Sequence, residues 1–225
     1  ITDENKVVLL NNEIEWEEQK HTLEYILNAD EVIKSPGISD GLTLIQQLIT
    51  KEIPVISEVE FAFRYTKAKI AAITGSNGKT TTTLLLGHVL KSAGYDVLIA
   101  GNVGTGFALS IAERDYDYIV LELSSFQLDG IKQFRTDVAI LLNITADHLD
   151  RYDYKLENYA SSKFRITENQ TAQDVLIYNA DDVLLNTLKT KAKRLPISLQ
   201  TQQKEGGFYN NNEIIINLNN NTMTM

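Results

Sequence analysis

Short apolar runs alternate with helical patterns along most of this chain. In its central part residues 70–73 are continuously apolar, and the large apolar residues of 81–93 recur at helical spacing. The same criteria predict further strands at 97–100, 118–122, 138–143 and 175–178, and a helix at 156–168. Strands that are apolar on both faces are typical of a parallel sheet covered by helices on both sides. The pattern therefore predicts an α/β fold.

The N-terminal part follows the same alternation with shorter elements. Strands are predicted at 7–10, 31–34 and 54–57, and helices at 16–27, 42–51 and 58–65. Three such units are too few for a full dinucleotide domain, and no Gly-x-Gly-x-x-Gly motif opens them. We predict a partial Rossmann-like domain.

The C-terminal part has a different pattern. After Ser198, alternating strands at 207–209 and 214–218 are separated by asparagine-rich turns, which predicts a small β-meander. Residues 222–225 look like the interior of another strand, and the first residue is not methionine. We expect the chain to be part of a longer protein.

The junction between the 70–73 strand and the following helix carries glycines, a lysine and hydroxyls. Such a turn lets main-chain N–H groups approach phosphate oxygens at a helix N-terminus, while the lysine adds positive charge and a hydroxyl can ligate magnesium. The generic phosphate loop has glycine where Ile73 stands, and an ordinary strand-to-helix turn with a solvated lysine is the alternative. The predicted nucleotide-binding residues are Gly75, Ser76, Asn77, Gly78, Lys79, Thr80 and Thr81.

The composition narrows the classes of partner. The chain has 225 residues, with 21 Lys and Arg against 30 Asp and Glu, which gives a formal net charge of −9. This balance argues against nucleic acid, because polyanion binding relies on a basic surface. Cysteine is absent, which excludes disulfides and fits a reducing compartment, and no apolar run reaches the ~18 residues that span a bilayer. We expect a cytoplasmic protein that binds neither nucleic acid nor membrane.

Polar residues at the carboxyl ends of predicted strands are the other candidates for chemistry, because ligands gather there in open α/β sheets. Asn102 follows its strand between two glycines. Glu122 ends its strand and could hold magnesium directly or through water, or simply terminate the strand at the surface. His148 could ligate a metal, although capping a turn is the simpler interpretation, and Lys163 would ordinarily be solvated.

Five motifs occur in order: Gly75–Thr80, Gly101–Gly104, Leu121–Leu128, Asp147–Tyr152 and Ser162–Arg165. Together they resemble the Mur ligase family. The Leu-Glu-Leu-Ser-Ser-Phe-Gln-Leu run is most similar to the branch that adds D-glutamate to UDP-N-acetylmuramoyl-L-alanine.

The resemblance implies a three-domain ligase of peptidoglycan precursor synthesis, and hence a role in cell wall biogenesis, cell shape and cell division. Residues 1–57 would belong to the N-terminal domain that binds the UDP-linked substrate, and residues 58–225 to a truncated, P-loop-type central ATP-binding domain. The C-terminal domain that binds the amino acid, and the late adenine contacts, would lie outside the chain. We expect a monomer that is inactive without those parts.

The implied reaction transfers the γ-phosphate of ATP to the alanine carboxylate, and the amine of D-glutamate then attacks the acyl phosphate. The resemblance implies catalytic roles for Lys79, Glu122, His148 and Lys163. It implies two Mg²⁺ ions held by Thr80, Glu122, His148 and Lys163, with Lys163 carbamylated by CO₂ so that a cation becomes an oxygen-donating anion. Implied substrate contacts are Ser35, Pro36, Gly37, Asn102, Ser124, Gln127 and His148.

Two alternatives stay open at this stage. A sibling ligase would act on another amino acid, such as L-lysine or diaminopimelate, or on a folate. A nucleotide-binding or interaction module without ligase activity would use the same phosphate loop but would have no amino-acid site.

Overall fold

A computed structural model describes residues 2–225 of the protein. The chain divides into two compact units. The smaller one comprises the described chain up to Val32 together with Ile38–Val55, and the larger one comprises Ile33–Gly37 and Ile56–Met225.

The N-terminal part contains three helices and two short strands. They are α1 (Asp3–Asn11), α2 (Leu23–Ile26), β1 (Val32–Lys34), α3 (Thr43–Thr50) and β2 (Val55–Ser57). The two strands form a two-stranded sheet, and α3 buries Ile45 and Leu48 on its apolar face. The predicted strands at 31–34 and 54–57 and the helix at 42–51 are confirmed.

Two N-terminal predictions are wrong. The 7–10 strand lies inside α1, because the Thr2 hydroxyl caps the helix by accepting from the Asn5 N–H, and two acidic residues follow in the first turn. The 16–27 helix is reduced to α2. Glu17 accepts hydrogen bonds from both the N–H and the hydroxyl of Thr22, and Gln19 has φ 59°, so the chain turns back before a helix can form.

The larger unit is built on a nine-stranded sheet. Its strands are β3 (Lys69–Thr74), β4 (Val97–Gly101), β5 (Tyr118–Glu122), β6 (Val138–Leu141), β7 (Val175–Asn179), β8 (Lys193–Ser198), β9 (Gly206–Asn210), β10 (Glu213–Leu218) and β11 (Asn221–Thr224). Its helices are α4 (Glu58–Phe63), α5 (Lys79–Ser92), α6 (Phe107–Glu113), α7 (Ser125–Asp129), α8 (Leu156–Phe164) and α9 (Val183–Asn186). Two 3₁₀ turns lie at Leu149–Arg151 and Arg165–Thr167.

The strand order explains how distant parts of the sequence meet. The order is β11-β10-β9-β8-β7-β6-β3-β5-β4, so β3 lies between β5 and β6. All pairs from β4 to β9 are parallel, which confirms the mostly parallel sheet. The carboxyl ends of β3, β4, β5 and β6 therefore share one edge of the sheet, where Glu122 lies opposite both Ile73 and Gly101.

Alternate strand residues pack on opposite faces of this sheet. Ile119 and Leu121 belong to the larger core, whereas their neighbour Val120 packs with Ile73 in a smaller core beneath α5. Both faces are covered, which is why the strands are apolar throughout.

The C-terminal strands β9, β10 and β11 are antiparallel, so the predicted meander is confirmed. The sequence patterns missed α6, α7, α9 and β8. The last of these contains Pro196, a residue that breaks most strands. It is tolerated because β9 pairs with β8 only at Ile197 and Ser198.

Candidate functional site

The glycine-rich turn joins β3 to α5, as predicted. Gly78 precedes the helix with φ 84°, a left-handed conformation that glycine adopts at no steric cost. The Lys79 ammonium folds back over the turn and donates to the main-chain oxygens of Gly75 and Ser76 at 3.0 and 2.9 Å. A strand, a glycine turn and a helix N-terminus with a lysine therefore meet at one edge of the sheet, which is the arrangement that binds phosphate.

Glu122 lies directly beside this turn. Its carboxylate is 2% exposed, and one oxygen accepts from the Thr80 hydroxyl at 2.7 Å while the other accepts from the Asn102 amide at 2.8 Å. Three residues that are far apart in sequence are thereby linked across β3, β5 and β4. A buried carboxylate beside a hydroxyl provides the oxygen ligands that Mg²⁺ prefers, so these residues fit the ion.

Lys163 is not a solvated lysine. It lies on α8 and is 1% exposed, and its ammonium nitrogen is 4.6 Å from the centre of the Tyr159 ring. Burial lowers the pKa of Lys163 to about 7, and the positive charge of Lys79 acts in the same direction. Among residues 2–225 this nitrogen has no hydrogen-bond acceptor. A substantial fraction of the amine is therefore neutral, and hence nucleophilic, near neutral pH.

His148 occupies the turn before the 149–151 segment. Its φ is 49°, its side chain is 56% exposed, and its ring contacts that of Phe126 with centroids 5.3 Å apart. The imidazole makes no capping hydrogen bond. The Asp147 carboxylate lies 3.6 Å from Nε2, and the exposed ring is accessible to a ligand.

A cavity of about 210 Å³ brings many of the predicted residues together. Its lining residues are Pro36, Gly37, Lys79, Asn102, Ser124, Ser125, Phe126, Asp147, His148, Tyr159 and Lys163. Thr80 and Glu122 do not line it but are connected to it through Asn102.

Two predicted substrate contacts, Ser35 and Gln127, do not line the cavity. The Gln127 side-chain oxygen accepts from the N–H and hydroxyl of Ser124, which forms a capping box at the start of α7. Its placement orients Ser124, which does line the cavity.

Four lining residues were not predicted from the sequence: Ser125, Phe126, Asp147 and Tyr159. Tyr159 was open to prediction, because it precedes Lys163 by four positions and so shares its helix face.

A second cavity of about 600 Å³ lies on the other side of the glycine turn, and the sequence analysis did not predict it. Asn77, Gly78, Thr82, Asn143, Asn179 and Asp181 line it together with apolar residues of β8, β9 and β10. Its signal in the sequence is the Asn-Ala-Asp-Asp run at residues 179–182, which begins with the last residue of β7.

Two searches of the described chain gave negative results. Across residues 2–225, no three His, Cys, Asp or Glu side chains come together as a candidate metal site. Nor does any helix in that range have the length and apolar character needed to cross a bilayer.

Comparison with known families matches residues 73–224 to the Mur ligase middle domain. The chain belongs to the Mur ligase family. The match extends from β3 to β11, so it includes the phosphate loop and all four of the residues predicted to be catalytic.

Curated relatives agree with this assignment. The chain is 49% identical to the UDP-N-acetylmuramoylalanine–D-glutamate ligase of Christiangramia forsetii over 100% of its own length and 52% of the relative. It is 50% identical to the enzyme of that name from Bacteroides fragilis, covering 96% and 50% of the two chains. The relative of that name from Thermoanaerobacter pseudethanolicus is 39% identical over 98% and 49%. The chain thus spans about half the length of these Mur ligases.

Solved structures of the family share the fold. The structure of a UDP-N-acetylmuramate:L-alanyl-γ-D-glutamyl-meso-diaminopimelate ligase from Neisseria meningitides matches with a TM-score of 0.59 at 14% identity, over 99% of this chain and 75% of that one. The MurF ligase of Thermotoga maritima in complex with ADP matches with a TM-score of 0.52 at 19% identity, over 89% and 58%.

Proposed function

We propose that the protein containing this chain is an ATP-dependent ligase that adds D-glutamate to UDP-N-acetylmuramoyl-L-alanine. Relatives of 49% and 50% identity carry that name. The observation that carries the proposal is the contact between the Thr80 hydroxyl and the buried Glu122 carboxylate, immediately beside the Lys79 turn.

In this proposal the turn holds the β- and γ-phosphates of ATP. The N–H groups at the start of α5 and the positive end of the helix dipole favour an anion there. Lys79 would exchange its contacts with the oxygens of Gly75 and Ser76 for phosphate oxygens. Because phosphoryl transfer requires little covalent chemistry from the protein, positioning and charge neutralisation are the main contributions of these residues.

Thr80 and Glu122 would hold one Mg²⁺, and His148 and Lys163 would hold a second. The ions would neutralise charge on the transferring phosphoryl group. Thr80 and Glu122 provide oxygen donors already in contact, whereas Lys163 would need carbamylation before it could act as a ligand.

Lys163 is suited to form a carbamate. Carbamylation joins a neutral amine to the carbon of CO₂ and releases one proton, so it requires the unprotonated form. Burial of Lys163 and the nearby charge of Lys79 both favour that form. The product would place two oxygen atoms in a cavity that Lys79 and His148 also line.

The muramoyl-alanine part of the acceptor substrate would lie in the 210 Å³ cavity, with contacts to Asn102, Ser124 and His148 and, less directly, Gln127. Residues 35–37 would approach its uridine diphosphate. The alanine carboxylate attacks the γ-phosphorus, ADP leaves, and the resulting acyl phosphate has the leaving group that a carboxylate lacks. The amine of D-glutamate then attacks the carbonyl carbon and expels inorganic phosphate.

The 600 Å³ cavity is suited to the nucleoside of ATP. It adjoins the glycine turn at Asn77 and Gly78, and apolar residues of β8–β10 line one side of it. An apolar wall with a few polar groups is typical of pockets that bind small molecules and cofactors.

The larger organisation follows the family assignment. We propose that residues 1–57 belong to the domain that binds the UDP-linked substrate and residues 58–225 to the ATP-binding domain. We propose a cytoplasmic monomer that binds neither nucleic acid nor membrane; the net charge of −9 disfavours nucleic acid, and the proposed substrates are water-soluble.

Phosphate release tests this proposal. Release should require ATP, magnesium, UDP-N-acetylmuramoyl-L-alanine and D-glutamate together, and omission of any one should abolish it. Turnover with L-lysine, diaminopimelate or a folate in place of D-glutamate would assign the protein to a sibling activity. Nucleotide binding without turnover under any of these conditions would identify a binding module.

Lys79→Ala provides the matching test of the phosphate loop. We expect loss of turnover and retention of the circular dichroism spectrum, because the Lys79 ammonium donates its hydrogen bonds to main-chain oxygens of its own turn and joins no other element. Lys91→Ala, an exposed lysine in the last turn of the same helix, is the control and should leave turnover unchanged. Wild-type turnover in Lys79→Ala would contradict the assignment of the loop.

A further inference from the structure

The segment that follows β6 contacts the phosphate loop beyond the end of the sheet. Strands β3 and β6 are parallel neighbours, with Thr74 opposite Leu141. Past this pair, the Asn143 side chain makes a two-point contact with the main chain of Asn77. The Asn77 N–H donates to Asn143 Oδ1 at 2.9 Å, and Asn143 Nδ2 donates to the Asn77 oxygen at 3.0 Å. One amide side chain thus takes the place of a neighbouring strand.

Ser76 is held by the same segment. Its N–H donates to the Asn143 main-chain oxygen at 2.9 Å. Its hydroxyl accepts from the Thr145 N–H at 2.9 Å and donates to the Thr145 oxygen at 3.0 Å. Residues 143–145 therefore hold two consecutive loop residues by both main-chain and side-chain bonds.

Gly75 permits this close approach. A Cβ at this position would lie 3.0 Å from the Leu142 Cβ and 3.3 Å from the main-chain nitrogen and oxygen of Asn143. The contact thus depends on a glycine in the loop and on an asparagine in the segment after β6.

The contact divides the loop's N–H groups into two sets. Those of Ser76 and Asn77 are engaged by Asn143. Those of Gly78, Lys79, Thr80 and Thr81 donate to no acceptor within residues 2–225, because the N-cap residue and the first three residues of α5 have no partner in the preceding turn.

We propose that Asn143 is a positioning residue for nucleotide binding. By occupying the N–H and the oxygen of Asn77, it holds the loop in the shape in which the free N–H groups begin at Gly78. Phosphate oxygens are then recognised by the free N–H groups that begin at Gly78, those of Gly78, Lys79, Thr80 and Thr81, while Ser76 and Asn77 contribute through the shape of the loop. This inference rests on the proposed binding of ATP at the loop.

The same contact connects the two cavities. Asn143 and Asn77 line the 600 Å³ cavity, and the chain continues from Thr145 to Asp147 and His148, which line the 210 Å³ cavity. Asn143 itself lines only the larger cavity, and the segment that it begins leads to the smaller one.

Binding of Mg–ADP, measured by titration calorimetry, is the first test. Asn143→Ala loses two hydrogen bonds to the loop, and we expect its dissociation constant to rise about tenfold. The control is Asn169→Ala, which also loses two bonds from an asparagine side chain to main-chain oxygens, those of Lys132 and Phe134. Asn169→Ala should bind Mg–ADP as the wild type does.

Residue-resolved amide measurements separate positioning from general destabilisation. In the wild type without nucleotide, the Asn77 N–H should exchange slowly with solvent, and in Asn143→Ala it should exchange at least about tenfold faster. Addition of Mg–ADP to the wild type should shift the amide resonances of Gly78, Lys79 and Thr80 strongly and that of Asn77 weakly. These shifts are measured on the wild type, so they test which N–H groups bind phosphate even if Asn143→Ala does not fold.

The outcomes distinguish the inference from the function on which it rests. Equal Mg–ADP affinity in wild type and Asn143→Ala, or a dominant shift at Asn77, would overturn the role of Asn143 alone. Failure of the wild type to bind Mg–ADP, or equal binding by Lys79→Ala, would overturn nucleotide binding at the loop and the inference with it. Asn143→Asp keeps the acceptor for the Asn77 N–H and loses the donor, so its Asn77 exchange should lie between wild type and Asn143→Ala.

Discussion

Lys163 illustrates how surroundings change the chemistry of a residue. A lysine on a helix is usually extended into solvent, but this one is 1% exposed and packs on the Tyr159 ring. Burial disfavours the ammonium form, and the positive charge of Lys79 disfavours it further. The result is an amine whose pKa is lowered to about 7 in a cavity lined by polar residues.

We predict that Lys163 takes up CO₂ selectively. With ¹³C-labelled bicarbonate, a carbamate resonance should appear in the wild type and be absent from Lys163→Ala. Because the neutral amine reacts, the signal should grow as pH rises through about 7 at constant dissolved CO₂. Lys155→Ala, which removes an exposed lysine beside the same helix, should keep the signal.

Activity provides a second measurement of the same residue. Turnover by Lys163→Ala should be partly restored by short carboxylic acids, which supply the missing oxygen atoms. Equal turnover by the wild type with and without CO₂ in degassed buffer would contradict the carbamate.

At the scale of elements, the main chains of β4 and β5 leave no room for a side chain at Gly101, next to the Glu122 carboxylate. Gly101 lies opposite Glu122 in the ladder and has φ +100°. A Cβ there would overlap the main-chain oxygen of Glu122, which also accepts from the Asn102 N–H at 2.8 Å. Glycine at 101 thus allows Asn102 to reach Glu122 through both its main chain and its side chain.

We predict that Gly101→Ala destabilises the protein and disturbs Glu122. A residue forced into this conformation costs of order 1–3 kcal/mol, and the overlap with Glu122 adds to that cost. Gly94→Ala is the matched control, because Gly94 has a similar φ of +91° but open space around it. Urea unfolding of both variants, followed by circular dichroism, separates backbone strain from the overlap. Equal losses of stability would show that the contact with Glu122 is unimportant.

At the scale of the whole molecule, the two edges of the sheet carry different kinds of polar residue. The edge at the carboxyl ends holds the candidate site. At the opposite edge, ion pairs join the starts of β3, β6 and β7. Asp137 accepts from the Lys69 ammonium and the Ile70 N–H, and the buried Asp174 accepts from two guanidinium nitrogens of Arg135 at 2.8 and 2.7 Å. These pairs hold strands together away from the site.

Asp174 should therefore make stability depend on pH. Burial raises the pKa of its carboxyl, but hydrogen bonds from Arg135 and Thr171 outweigh burial and hold the pKa below its usual value. Because the folded pKa is the lower one, this stabilisation is complete above the unfolded pKa of about 4 and is lost as pH falls through the folded value.

We predict that Asp174→Asn lowers the free energy of unfolding at neutral pH by about 2 kcal/mol and reduces its dependence on acid pH. Urea unfolding at several pH values gives both quantities. Asp115→Asn, which removes an exposed carboxylate, should leave the curve unchanged. An unaltered acid dependence in Asp174→Asn would show that other carboxylates cause it.

The local pattern of apolar and polar residues determined much of the secondary structure of this protein. Apolar runs located most strands of the larger unit and the covering of both sheet faces, and the glycine turn at 75–81 is where its sequence placed it, between β3 and α5. These features depend on interactions between residues that are close in sequence. Local pattern gave the wrong result at α1, where a helix cap outweighed a short apolar run. It also missed β8, because that strand contains Pro196, at a position that β9 leaves unpaired.

Only the tertiary structure decided which of the predicted site residues come into contact. The order of strands places β3 between β5 and β6, so Thr80 reaches Glu122 and Asn77 reaches Asn143, and helix packing buries Lys163. The strand order cannot be read from any short stretch of sequence, because it depends on how all the strands together bury the two faces of the sheet. For the same physical reason, the lowered pKa of Lys163 and the two cavities beside the loop exist only in the folded chain.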